Sequence, residues 1–207
     1  VIKFQTYKAE KLATRTAPRY WNSKLDTDKG GSQYDTFKKI DSLPLETYHD
    51  MKKLCDKLGI LFSSTPFDLE SADFLDEMGM QFFKIASADI IHTQLIKRVA
   101  QKGKPIILST GLASLQEMKE AIDLIKKEGN DQIALQHCIL SYPCEFKDAN
   151  LEKMRKIQET FPDLPVGYSD HTYGDLAPIT AVAMGARSIE KHYTIDKSLP
   201  DSPDHGF

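Results

Sequence analysis

FFKIASADIIHTQLIKRVAQKGKPIILSTG, residues 82–111, opens on a short apolar and aromatic run, passes through a segment with apolar residues at helical spacing, and closes on a second β-branched run. The first run, Phe82 to Ala86, and the last, Pro105 to Thr110, read as strands. Between them Ile96 and Val99 fall on one helical face, and Gly103 stands where a left-handed cap ends a helix. The stretch is therefore a β–α–β unit, the building block of a parallel sheet.

The unit repeats in both directions. Strands are predicted at Val1 to Thr6, Ile60 to Thr65, Ile133 to Cys138, Pro165 to Asp170 and Ser188 to Tyr193, seven in all with the two above. Helical apolar faces are read at Leu54 with Leu58, at Phe74 with Met78, and at Met118, Ile122 and Ile125. Two further helices are expected near Leu151 to Glu159 and Leu176 to Met184, and Gly59 and Gly185 repeat the capping role of Gly103. Only Lys8 to Pro44 breaks the pattern. It is long, polar and without period, holds the single tryptophan, Trp21, and reads as a lid or wall over one end of the sheet, or else as a disordered excursion.

Seven strands with helices between them fit either a doubly wound sheet or a closed barrel. No GxGxxG follows the first strand, which disfavours the dinucleotide-binding arrangement. A (β/α)8 barrel needs eight strands and roughly 250 residues. The chain has 207, starts inside a strand without methionine and ends abruptly at Asp204 to Phe207. The expectation is an α/β TIM barrel lacking its first strand and helix, with residues 1–207 forming one partial domain of a longer protein.

Composition narrows the function classes. With 41% hydrophobic and 28% charged residues the chain can bury one sizeable core, and no apolar run is long enough for a membrane span. A net charge of -3 with dispersed Lys and Arg gives no electrostatic footprint for nucleic acid. Cys55, Cys138 and Cys144 form no CxxC pair and are odd in number, so free thiols in a reducing cytoplasm are expected.

In a (β/α)8 barrel the active site lies at the C-terminal ends of the strands. Those ends carry Lys3 and Gln5, Ser63 and Thr65, Lys84 then Ser87, Ser109, Ser141-Tyr142, Ser169-Asp170-His171, and Glu190-Lys191-His192. Alternation puts Lys3 with Gln5, Ser63 with Thr65, Ser169 with His171 and Glu190 with His192 on shared faces. Ser87 has the wrong parity to join Lys84 unless it lies past the strand end or at a bulge. Two lysines and several hydroxyls around Gly111 suit a small molecule bearing phosphate and carboxylate. Inward lysines in barrels also pair with carboxylates, and that alternative stands beside the first.

His171 and His192 come from the last two strands, close enough to share one ion. Two histidines completed by water and substrate oxygens suit a borderline cation such as Mn2+ rather than a closed structural zinc site; the alternative is a pair of ordinary hydrogen-bonded histidines. His137 next to Cys138 could mimic a nucleophile and its base. Neighbours on a strand face opposite ways, however, so Cys138 is read as a packed residue.

Taken in order, KFQTYKAEKL, SSTPFD, KIASADI, ILSTGLAS, SYPCEFKDANL, VGYSDHT, IEKHYT and LPDSPDH resemble the sialic acid synthase family, which includes pseudaminic and legionaminic acid synthases and spore-coat relatives. The resemblance runs from Lys3 to Asp204. It implies a (β/α)8 barrel, a divalent metal, Mn2+ with Mg2+ or Co2+ as alternatives, and condensation of phosphoenolpyruvate with an N-acetylated amino-sugar aldehyde to a nine-carbon 2-keto sugar acid plus phosphate. By motif match Lys3, Thr65, Lys84, Ser87, Ser109 and Ser169 form the phosphoenolpyruvate cradle, and His171 and His192 the metal ligands. Tyr142 and Asp204 match amino-sugar contacts, with Gln5 a further mouth residue. Lys3, Lys84, His171 and His192 are the expected catalytic set.

The resemblance also marks departures. The family's first strand, with a glutamate proposed as acid/base, is expected to be absent, as is its C-terminal antifreeze-like domain, through which the intact protein is expected to form a homodimer. Leu140 stands where some members carry an anion-binding asparagine. Two rivals are a catalytically inactive sugar-phosphate or metal-binding barrel and a barrel aldolase using Lys84 as a Schiff base.

Overall fold

A computed structural model of the chain describes residues 1–19, 31–41 and 43–197. Seven parallel strands are present: β1 (Ile2–Thr6), β2 (Phe62–Pro66), β3 (Phe83–Ile85), β4 (Ile106–Ser109), β5 (Ile133–Cys138), β6 (Val166–Asp170) and β7 (Ile189–Lys191). Each lies within its predicted span or a residue of it. They form two hydrogen-bonded sheets, β1-β2 and β3-β4-β5-β6-β7, with strands in sequence order. The architecture is thus an α/β fold built on parallel half-barrel sheets. The ladder does not continue from β2 to β3, and β1 and β7 each have one ladder partner among the described strands.

The helices are α1 (Ala9–Leu12), α2 (Gln33–Ile40), α3 (Leu45–Leu58), α4 (Leu69–Glu77), α5 (Thr93–Ala100), α6 (Leu115–Lys127), α7 (Leu151–Thr160) and α8 (Leu176–Ala183). Local chemistry starts them. In α6 the Ser114 hydroxyl accepts from the Glu117 amide while the Glu117 carboxylate accepts from the Ser114 amide, a reciprocal capping box. Met118, Ile122 and Ile125 of α6 are buried against the strands, each contributing about 1.5–3 kcal/mol by leaving water. Asp68 caps α4 by accepting from the Ser71 amide at 2.8 Å, and Gly59 ends α3 in the left-handed region at φ 67°.

One sequence expectation needs correction, and one gains detail. Leu54 and Leu58 of α3 do not face the sheet: both are more than half exposed, and the helix instead packs through Tyr48, Met51 and Cys55. That stripe, at spacings of three and four, includes a tyrosine whose hydroxyl donates to the Gln5 carbonyl at 2.8 Å, so a polar-tipped residue took the core place that two leucines seemed to claim. The excursion from Lys8 to Pro44 is not structureless either. Its described parts hold α1 and the capped helix α2, joined where the buried Asp41 carboxylate accepts from the Ala9 amide at 2.7 Å. Trp21 lies outside the described residues.

The core fills the space between the outward faces of the strands and the helices, with Phe83, Ile85, Ile106, Leu108, Leu135 and Tyr168 fully buried. Polar side chains therefore occupy the opposite, inner face. Among the described residues no helix is long and apolar enough to cross a membrane.

Candidate functional site

Register fixes which side chains share the inner face. Lys3 pairs with Ser63 and Gln5 with Thr65; Ser109 pairs with Gln136, and Cys138 with Ser169, which in turn pairs with Glu190. Lys84 belongs to the same face, because its ammonium reaches Glu190. Of the four same-face pairs expected from alternation, Lys3 with Gln5 and Ser63 with Thr65 lie wholly within a ladder, whereas His171 and His192 follow one residue past the ends of β6 and β7. Ser87 resolves its parity by lying past the end of β3, in a short 3-10 turn from Ser87 to Asp89.

Glu190 is the hub that joins separate strands. One of its carboxylate oxygens lies 3.2 Å from the Lys84 ammonium; the other accepts from Lys84 at 3.3 Å and from the Ser169 hydroxyl at 3.2 Å, and stands 3.7 Å from the Lys3 ammonium. Burial alone would raise this carboxyl. The charges of Lys84 and Lys3, with hydrogen bonds from Lys84 and Ser169, outweigh burial and hold it below the usual glutamate range. The alternative reading of inward lysines, pairing with a carboxylate, is thus realised, yet with two ammonium groups sharing one acid. Sequence reading placed Glu190 at the mouth without giving it this role; the signal was its parity with His192 and the need of two inward lysines for a counter-charge.

Beside the hub lie three rings. Tyr142 stacks on His171 with ring centroids 4.0 Å apart, and His171 and His192 meet edge to face at 5.3 Å. The His171 Nδ1 is 2.5 Å from the Ile139 carbonyl, which can only accept, so Nδ1 carries a proton and Nε2 is the nitrogen that the neutral ring would offer to a cation. Burial, then the Lys3 charge, push His192 down to about 4 despite Glu190, with Lys84 and Lys191 adding to the effect. Burial thus favours the neutral form of His192, the form a cation requires, and a carbonyl-anchored histidine such as His171 is the usual support of a ligand. Among the described residues no cluster of three or more His, Cys, Asp or Glu side chains accompanies them. A cation held here would draw its remaining ligands from water or substrate.

A second network, on the outer face, braces this corner. The fully buried Asp170 accepts from the Tyr168 hydroxyl at 3.0 Å, the Thr172 amide at 3.1 Å, the Thr172 hydroxyl at 3.2 Å and the Lys191 ammonium at 2.7 Å. It ties the end of β6, which carries Ser169 and leads into His171, to β7, which carries Glu190 and leads into His192. Burial and the Asp170 charge push the Tyr168 hydroxyl upward, so it stays a donor. No sequence motif announced this network, since only the fold brings Lys191 to Asp170.

The remaining expected residues divide. Thr65 and Ser109 are buried on the inner face, each with a hydroxyl lacking a partner among the described residues. Ser87 packs against Gly111: a Cβ on Gly111, whose φ is +42°, would stand 2.5 Å from that of Ser87. Lys153 of α7 anchors the same loop by donating to the Gly111 carbonyl at 2.6 Å. Gln5 shares the face of Lys3 but is exposed. Asp204 lies outside the described residues. Cys138 is buried and its thiol is pushed up by burial, while His137 turns away to the Ala149 carbonyl, so no nucleophile–base pair forms.

Comparison with known proteins bears on this arrangement. The model of the NeuB family matches residues 1–207. N,N'-diacetyllegionaminic acid synthase of Legionella pneumophila is 43% identical over 99% of the chain and 58% of its own length. Pseudaminic acid synthase of Helicobacter pylori is 40% identical over 84% of the chain and 50% of its own length. The crystal structure of N-acetylneuraminic acid synthetase from Leptospira borgpetersenii in complex with citrate superposes with a TM-score of 0.80 at 35% identity, covering 95% of this chain and 63% of that one. The chain therefore spans about half to three-fifths of the length of these relatives.

Proposed function

Because this chain belongs to the NeuB family, we propose that the full protein is a sialic acid-type synthase, which joins phosphoenolpyruvate to an N-acetylated amino-sugar aldehyde and releases phosphate. The observation that carries the reading is the pair of inward lysines around Glu190, set among buried hydroxyls at the strand ends. Lys3 and Lys84 bind the phosphate and carboxylate of the enol phosphate, and Thr65, Ser87, Ser109 and Ser169 fix its oxygens. Tyr142, Gln5 and Asp204 meet the sugar. His171 and His192 are the residues that would hold a divalent cation, Mn2+ with Mg2+ or Co2+ as alternatives, which when bound polarises the aldehyde carbonyl as a Lewis acid.

In the reaction C3 of the enol phosphate attacks the aldehyde carbon, forming the new C–C bond, and the aldehyde oxygen takes up a proton. Water adds at C2, and the tetrahedral intermediate breaks its C2–O bond to release phosphate and leave the ketone. The lysines stabilise the charge that stays on phosphate and carboxylate oxygens throughout. The sugar is a matter of pocket shape, since relatives at 43% and 40% identity are named for different nine-carbon acids. The same reading places the intact protein in the cytoplasm as a homodimer with a complete (β/α)8 barrel.

Lys84 is paired with a carboxylate rather than set in the apolar pocket that activates a lysine for Schiff-base chemistry, which weighs against an aldolase. The test is phosphate release from phosphoenolpyruvate by the full protein, offered N-acetylmannosamine and di-N-acetylated bacterial sugars with and without Mn2+. Release that depends on a sugar and on the cation is expected. Borohydride trapping of a pyruvate adduct on Lys84, or no release with any sugar, would sink the proposal.

A further inference from the structure

Four buried side-chain oxygens on the inner face, those of Ser63, Thr65, Ser109 and Gln136, have no hydrogen-bond partner among the described residues. Thr65 and Ser109 belong to the cradle already described, whereas Ser63 and Gln136 do not. Both are almost wholly removed from solvent, at 0% and 2% exposure. Gln136 stands opposite the Ser109 hydroxyl in the β4–β5 ladder and opposite Gly167 in the β5–β6 ladder, so one neighbour is a cradle residue and the other has no side chain to bond. Ser63 stands opposite Lys3 and two residues below Thr65 on β2.

A buried amide or hydroxyl left unpaired costs about 1–3 kcal/mol. An apolar side chain would fill either position without that cost, as Ile107 and Ala134 do elsewhere on the same face. Such groups persist where binding supplies the missing partner. Serine and glutamine can each donate to an anion, and the two ends of a carboxamide exchange by a half-turn, so the orphaned oxygen does not fix which end meets the ligand.

We propose that Ser63 and Gln136 form the floor of the anion site and hydrogen-bond to an oxyanion oxygen of phosphoenolpyruvate, which makes them binding residues for the substrate. The proposal rests on the reading that this face takes an enol phosphate, and it enlarges the site by two residues.

The experiment pairs thermal melting with calorimetric titration of phosphoenolpyruvate into the full protein, for wild type, Gln136→Leu, Gln136→Glu and Ser63→Ala. Without ligand, Gln136→Leu is expected to melt no lower than wild type, because a buried unpaired group has gone. Its affinity for phosphoenolpyruvate is expected to fall about tenfold or more, and that of Gln136→Glu further, since a carboxylate repels the anion. Competition by inorganic phosphate and by pyruvate then tells which oxyanion is held: the competitor weakened by Gln136→Leu identifies it. Ser63→Ala, which removes a single oxygen, keeps the test open if Gln136→Leu does not fold.

A wild type that binds phosphoenolpyruvate with Gln136→Leu and Ser63→Ala binding equally well overturns the floor and leaves the enzyme reading intact. So does a lowered melting temperature with unchanged affinity. A wild type that binds neither phosphoenolpyruvate nor phosphate overturns both.

Discussion

The Asp89 carboxyl ends the short turn that carries Ser87, and one of its oxygens is buried without a partner among the described residues. Burial pushes it up to about 6, with the neighbouring His92 only partly opposing. The folded value lies above the unfolded one, so the uncharged form favours folding: that contribution is full below about pH 4 and is lost as pH rises through about 6. Asp89→Asn should therefore gain up to about 3 kcal/mol over wild type at pH 8, the gain vanishing toward pH 4, as read from urea denaturation at both pH values. At Lys84, replacement by alanine should raise the phosphoenolpyruvate KM and lower kcat together, because a phosphate contact that strengthens in the transition state enters both. Lys84→Arg should not restore activity fully, since its planar fork places charge differently. Unchanged steady-state kinetics in Lys84→Ala would reject the cradle. For the histidines, calorimetric Mn2+ titration should show loss of affinity in His171→Ala and in His192→Ala without a comparable loss of fold; equal affinities would retire the cation site.

At the scale of elements, the βα repeat was legible because short strand-like runs alternate with apolar residues at helical spacing, with side-chain caps at Asp68, His92 and Ser114 marking three of the helix starts. Parity along the strands gave Lys3, Thr65, Ser169 and His192 their shared face for the same reason. What sequence could not give is contact across strands: Glu190 with Lys84, 106 residues apart, and Asp170 with Lys191, 21 apart, meet only once the strands are assembled. The face of α3 was misread because leucine was given priority over tyrosine. Asp170→Asn tests the brace. It should cost about 2 kcal/mol or more, as a buried partner of Lys191 loses its charge, and should weaken both Mn2+ and phosphoenolpyruvate binding by loosening two strand ends at once. Unchanged binding at lowered stability would make the network purely structural. At the β4 turn, Gly111→Ala combines a clash with an unfavourable φ, so Ser87→Gly should restore only part of the melting temperature it loses.

For the whole molecule, the outer margins at β1 and β7 matter most. Exposed apolar side chains gather on the elements bordering them: Val1, Ile2, Leu54, Leu58, Ile60 and Leu61 on one side, Leu176, Ile179, Val182 and Ile189 on the other. A strand margin with one ladder partner among the described residues and an apolar surround is a template for another strand, and a net charge of -3 resists association only weakly. The margins are also unlike. β1 of one copy can continue the parallel order after β7 of another, and such head-to-tail contact, unlike a two-fold pair, propagates from copy to copy unless its rotation closes a ring. Residues 1–207 produced alone should accordingly polymerise instead of stopping at a pair, giving light scattering that climbs with concentration and time, and Ile179→Lys together with Leu58→Lys should slow that climb. A sharp plateau at twice the mass would contradict it. What serves as the wall of a binding site in the interior becomes, at its two ends, the seed of a filament.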